Sequence, residues 1–321
     1  MMRESEVIAR LQQVATHAAA RGLLDDAAVL HGLVITHDSI AEGVHFLSDD
    51  PPESVGWKLV AVNLSDLAAK GATPAGALLS LTISGDGEWE VAFIAGLAAA
   101  CEHYALPLIG GDTISLPAAA ARVLGLTAIG RAGPRVPSRS GGEPGDRLWL
   151  FGSIGDSAAG LDQLRADTKA TGPLIKAYRR PVPLLAAGQA LAPHARAMMD
   201  VSDGLLLDAQ RLAQASGCTI DIDLDAVPLS DAFVLVRGRD LDARLFAATG
   251  GDDYALLAAL PAELDPSTLS LPSGTRMAGV GTLTGGPPEI RLSSEGQAVE
   301  VPERLGHEHC SSVAPPVADR A

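Results

Sequence analysis

Six short acidic motifs punctuate this chain, each beside an apolar stretch: Asp25-Asp26, Thr36-His37-Asp38, Asn63-Leu64-Ser65-Asp66, Gly110-Gly111-Asp112-Thr113, Asp200-Val201-Ser202-Asp203-Gly204 and Gly250-Gly251-Asp252-Asp253. A carboxylate in an apolar setting is costly unless it is paired or holds a cation. Asp66, flanked by Val62, Leu64, Leu67, Ala68 and Ala69, is the clearest case. Few Lys or Arg flank these motifs, so ion pairs are not expected to satisfy them all. Hard oxygen donors suit Mg²⁺, which bridges one or two carboxylates to substrate phosphates and keeps several waters. Gly110-Gly111 lets backbone N–H groups approach a phosphate closely. Ser202-Asp203-Gly204 before an apolar run would set Asp203 at a helix N-terminus, a favourable phosphate and metal location. Any one motif alone also reads as a turn or helix cap. Six together point to a shared metal–phosphate site.

The sequence carries no G-x-x-x-x-G-K-[ST] loop, no protein-kinase H-R-D or D-F-G set and no G-x-S-x-G elbow, so a nucleotide fold outside those classes is implied. A formal net charge of −15 and an aromatic content of 3% argue against nucleic-acid binding, which wants a basic face or stacking platform. The three cysteines are far apart and form no C-x-x-C, which indicates neither a disulfide framework nor a zinc site and suits a reducing cytoplasm. The N-terminus is charged and unlike a signal peptide. The longest apolar run, about 11 residues from Val91, is too short to span a bilayer, so no membrane partner is expected.

The elements that must position these groups follow from periodicity. Glu4 to Arg21 reads as one amphipathic helix, and Ser54 to Lys70 and Glu88 to Tyr104 as two more. Leu33 to Ile35, Leu78 to Ile83, Leu106 to Ile109 and Arg122 to Ile129 read as strands. The Pro- and Gly-rich stretch from Gly133 to Gly145 reads as a hinge, dividing the chain into domains of residues 1–137 and 138–321. In the second half Arg147 to Phe151 and Thr219 to Leu224 read as strands, Leu184 to Leu191 and Leu205 to Ala215 as helices. The tail beyond Gly306 reads as frayed. With 321 residues, 47% of them hydrophobic, two α/β or α+β domains are expected.

The order of LDDAAVL, ITHDSIAEGVHF, AVNLSDLAAKGATP, LIGGDT, SRSGGEPGD, GSIGDSAAGL, AYRRPVP, DVSDGLLLD and GGDDYALL resembles the pattern of the thiamine-monophosphate kinase family over nearly the whole chain. That resemblance implies the two-domain aminoimidazole ribonucleotide synthetase-like fold. Its N-terminal sheet would form a homodimer interface, and a C-terminal α/β sandwich would complete the site. It implies ATP-dependent phosphorylation of thiamine monophosphate with several Mg²⁺ ions. Carried over by position, metal ligands fall on Asp26, Thr36, His37, Asp38, Asp66, Asp112, Asp200 and Asp203. ATP contacts fall on Tyr104, Gly111, Asp112, Arg139 and Ser202, and substrate contacts on His45, Asp252 and His307. The chain departs from the family pattern at Leu24, at His37, at His307 and in the residues after Thr113. Two other readings are another ATP-using reaction of the wider superfamily, or an ATP-binding homologue without turnover.

Overall fold

The computed structural model describes residues 4–117 and 120–307; Cys310 and nearly all of the tail read as frayed lie outside them. The first half begins with helix α1 (Glu4–Gln12) and a 3₁₀ segment (Ala18–Leu23), followed by strands β1 (Ala28–Leu30) and β2 (Leu33–Ala41). Next come α2 (Pro52–Ala69), β3 (Thr73–Ile83), α3 (Gly87–His103), β4 (Leu108–Ser115) and β5 (Val123–Arg131). The single N-terminal helix expected from sequence is therefore two pieces. The second begins where the His17 imidazole accepts a hydrogen bond from Ala19 N.

Its five-stranded sheet runs β1-β2-β5-β3-β4, antiparallel except for the parallel pair β3–β4. Two strands are longer than their apolar cores suggest. β2 continues through Thr36, His37 and Asp38 because β5 pairs with it residue for residue from Leu33 to Ala41. Side chains alternate across a strand, so Thr36 turns inward and is buried while His37 is exposed. β4 likewise takes Gly110-Gly111-Asp112-Thr113 into the ladder rather than leaving them in a loop after it.

Helix α2 is apolar almost all round, the signature of a buried helix, and most of its residues are indeed buried. Prolines 51 and 52 start it and Gly71, with φ 60°, follows its end. One side packs on β2 and β5, another on α3, and its C-terminal end reaches the second half.

The second half contains β6 (Arg147–Phe151), α4 (Asp156–Ala166), α5 (Pro173–Arg179), α6 (Leu185–Leu191), β7 (Ala197–Val201), α7 (Leu205–Ser216) and β8 (Thr219–Asp223). It ends with α8 (Asp231–Arg237), α9 (Leu241–Gly250), β9 (Ala255–Leu260), β10 (Met277–Thr284), β11 (Ile290–Ser294) and β12 (Gln297–Val299). Its seven-stranded mixed sheet runs β12-β11-β8-β10-β6-β9-β7. Each half has its own apolar core, and a third core joins them: Ala68 and Ala69 of α2 pack with Leu191, Met198 and Leu256. The crossing of α2 and α6 is tight, since a Cβ on Gly188 would lie 1.9 Å from the Ala68 carbonyl oxygen. No helix among the described residues is long and apolar enough to cross a membrane.

Candidate active site

Three elements meet at the seam between the halves: the inward face of β2 with the turn before β1, the polar positions of α2, and the β7–α7 turn. Carboxylate oxygens of Asp26, Asp66 and Asp200 lie within 4.8 Å of one another. Asp66 and Asp200 are buried, and the Asp26 side chain is wholly buried. Thr36 Oγ1 donates to Asp66 Oδ2 and, at 3.3 Å, to Asp26 O. Ser65 Oγ donates to Asp200 Oδ2 at 2.7 Å. Asp38 stands beside them, its backbone N–H held by Asn63 Oδ1 at 2.9 Å.

Burial, then the neighbouring carboxylates of Asp38, Asp200 and Asp26, pushes the Asp66 carboxyl well above its ordinary range. Burial, reinforced by Asp26, pushes Asp200 up to about 8. Burial also raises Asp38. Packed like charges of this kind favour an added cation.

Lys and Arg do come to some of these motifs, although sequence spacing did not suggest it. Lys70 Nζ contacts Asp25 Oδ1 and lies 2.6 Å from Asp26 Oδ2; Arg139 Nε lies 2.6 Å from Asp26 Oδ1; Arg211 reaches Asp203 and Asp208. No such cation touches Asp66 or Asp200 among the described residues. Asp26 Oδ2 is buried and ion-paired with Lys70 Nζ at 2.6 Å, whereas Asp66 and Asp200 receive side-chain hydrogen bonds only from the Thr36 and Ser65 hydroxyls among the described residues. Two buried carboxylates without a cationic partner among the described residues, close to that of Asp26 and to a hydroxyl, fit a hard divalent cation such as Mg²⁺.

Beside the cluster opens a cavity of about 310 Å³ lined by residues of both halves. Asp38, His45, Ser202, Asp203, Asp252 and His307 all face it, so six residues singled out in the sequence share one space. Asp203 precedes α7 by two residues rather than heading it, and its N–H is bound by Asp208 Oδ2. Asp252, at φ 64°, is fixed by Ser157 Oγ, Tyr254 OH and Lys58 Nζ at 2.8, 2.9 and 2.6 Å. Lys58, only 2% exposed, also donates to His45 O at 2.9 Å.

Other predicted residues lie elsewhere. His37 is on the opposite face of β2 and bonds Thr127 Oγ1, so its ring points away from the carboxylates. Tyr104 ends α3, packs edge-on against Trp57 and His103, and does not line the cavity. Gly111 and Asp112 lie on β4, the exposed edge strand. In register, Asp112 aligns through Ser80 and Gly125 with Ser39 of β2. At about 4.8 Å per strand that row separates Asp112 from β2 by roughly 14 Å. Two lysines escaped the sequence reading: Lys58 within the apolar α2 and Lys70 at its end. A lone lysine inside an otherwise apolar helix was the available signal.

This architecture defines the protein as a two-domain AIR synthase related protein: residues 24–132 match the family's N-terminal domain and residues 143–289 its C-terminal domain. Thiamine-monophosphate kinase from Salmonella typhimurium is 41% identical over 265 residues, 79% of this chain and 80% of that protein. The enzyme of that name from Caulobacter vibrioides is 39% identical over 272 residues, 80% of this chain and 76% of that protein. A solved structure of AaThiL complexed with AMPPCP and TMP superposes with a TM-score of 0.83 at 31% identity, covering 96% of this chain and 97% of that one. The chain belongs to the thiamine-monophosphate kinase family.

Proposed function

We propose that this protein transfers the γ-phosphoryl group of ATP to the phosphate of thiamine monophosphate, giving thiamine diphosphate and ADP. The observation that carries this reading is the cavity at the seam, where His45, Asp252 and His307 face Asp38, Ser202 and Asp203 beside the Asp26–Asp66–Asp200 cluster. One end suits an organic substrate and the other its phosphates.

The acceptor is a phosphate monoester, mostly dianionic at pH 7 because its second pKa is near 6. It needs no general base, and none is assigned among the site residues. The obstacle is charge: two unit charges about 4 Å apart repel by roughly 4 kcal/mol at an effective dielectric of about 20. Asp26, Asp66 and Asp200 would hold Mg²⁺, with Thr36, Asp38 and Asp203 as further candidates, and bound Mg²⁺ would supply the neutralising charge. The carboxylates are then ligands rather than bases. The seam would orient the acceptor for in-line attack. Arg139 and Ser202 remain the candidates for ATP on this chain. Residues 1–137 and 138–321 are taken as the two domains. Arg21 bonds the carbonyls of Val136 and Pro137, whereas Ser138 pairs with Ala197 of β7, which supports that boundary.

The working unit in this reading is a homodimer. Leu108, Ile109 and Ile114 of β4, with Leu78 and Val123, leave an exposed apolar surface on the first sheet. A second copy covering it would bury that surface and bring its own Gly111 and Asp112 toward the cluster. The test of the activity is incubation of the purified protein with ATP, Mg²⁺ and thiamine monophosphate, with thiamine as control. Thiamine diphosphate from the monophosphate alone is expected. Bound ATP without product would overturn the proposal.

A further inference from the structure

We infer that Lys70 takes the place of a cation inside the carboxylate cluster and so limits the nucleotide-free site to one divalent ion. The inference rests on the reading that Asp26, Asp66 and Asp200 hold such an ion. Lys70 is fully buried at the C-terminal end of α2, where the helix dipole favours positive charge. Its ammonium contacts Asp25 Oδ1 and lies 2.6 Å from Asp26 Oδ2, and it donates to Met198 O at 3.1 Å. Arg139 covers the second oxygen of Asp26 and Arg21 the second oxygen of Asp25. Every carboxylate oxygen of this pair thus faces a protein cation. Among the described residues, Asp66 and Asp200 have no cationic partner and receive side-chain hydrogen bonds only from the hydroxyls of Thr36 and Ser65.

Charge then decides capacity. With Asp38 beside them, five carboxylates share three cationic side chains, so the ionised cluster is two negative charges in excess. One divalent ion at Asp66 and Asp200 neutralises it. A second would leave two positive charges uncompensated in a low-dielectric seam beside the first ion, which is unfavourable until the polyphosphate of a nucleotide brings compensating charge. A lysine suits this role because its ammonium is a compact point charge on a flexible stem.

The test titrates the full chain, without nucleotide, with Mn²⁺ followed by electron paramagnetic resonance. Wild type is expected to bind one Mn²⁺ per chain. Lys70→Met is expected to admit a second, or to bind the first at least about tenfold tighter, the lower, water-screened limit for removing a unit charge a few ångströms from a divalent ion. Mn²⁺ should raise the melting temperature of Lys70→Met more than that of wild type, and Lys70→Arg should restore wild-type stoichiometry. Asp25→Asn keeps Lys70 and removes a negative charge, so it should weaken Mn²⁺ binding at least about tenfold. Wild type binding two ions, or Lys70→Met with unchanged stoichiometry and affinity, would overturn the inference. If Lys70→Met fails to fold even with Mn²⁺, an unchanged affinity in Asp25→Asn overturns it instead. Equal Mn²⁺ binding by wild type and Asp66→Asn would strike at the metal site itself, a different outcome from failure of the Lys70 role.

Discussion

Asp66 is a carboxylate that no cationic side chain of the described residues contacts, buried where burial and three other aspartates oppose its ionisation. Asp66→Asn keeps its size but removes the charge that would hold a divalent ion. Turnover should fall at least about 100-fold, the upper end for losing even an outer partner of a metal ligand. Steady-state rates across a range of Mg²⁺ concentrations decide it, since activity surviving at ordinary Mg²⁺ would exclude the ligand role. Lys58 makes a different prediction. It ties Asp252 to the His45 carbonyl, so Lys58→Met should raise KM for thiamine monophosphate about tenfold, the worth of one charged hydrogen bond, with kcat little changed. An unchanged KM would mean that Asp252 is placed without Lys58. The aspartates were legible in the sequence because a carboxylate among Leu, Val and Ala is costly wherever the chain folds. The lysines were not, because their partners stand far away in sequence: Asp25 is 45 residues from Lys70, and Asp252 is 194 from Lys58.

At the scale of elements, α2 was legible from its apolar periodicity, read as Ser54 to Lys70 against the observed Pro52–Ala69. The ends of β2 and β4 were not. Polar or glycine-rich residues after an apolar core read as a loop, yet tertiary pairing with β5 and β3 keeps them in the ladder. The α2–α3 crossing gives a prediction in which two effects compete. Replacing Gly by Ala inside a free helix gains about 1 kcal/mol. In Gly96→Ala the new Cβ would lie 1.9 Å from the Glu53 carbonyl oxygen, so the helices must separate. Overpacking of this kind costs about 1–3 kcal/mol, and the backbone contact puts it at the upper end, so packing wins. Urea unfolding should show Gly96→Ala destabilised, whereas Gly87→Ala at the start of α3, with no atom within 4 Å of its Cβ, should be neutral or stabilised. Equal behaviour of the two variants would mean the crossing is not tight.

For the whole molecule, motif order across both halves made the two-domain plan legible, and the seam gathers most of the predicted site. Asp112 is the exception that bears on assembly. Its row across the sheet leaves it roughly 14 Å from β2, beyond the reach of a shared ion. If it belongs to the site, a second copy must supply it, and the exposed apolar residues of β4 are the surface for that copy. Ile109→Asp, at a position 60% exposed in the single chain, should then yield monomers in light scattering and lose activity together with the dimer. A sharper form of the test uses complementation. Asp66→Asn and Asp112→Asn should each be inactive alone, because every site lacks one ligand. Mixed and allowed to exchange, they form heterodimers in which one site carries both defects and the other carries none. Random pairing makes about half the dimers mixed, so about one quarter of wild-type activity should return. Recovery near that level would assign Asp112 to the partner's site, whereas two inactive variants that stay inactive after demonstrated exchange would place Asp112 outside the chemistry altogether.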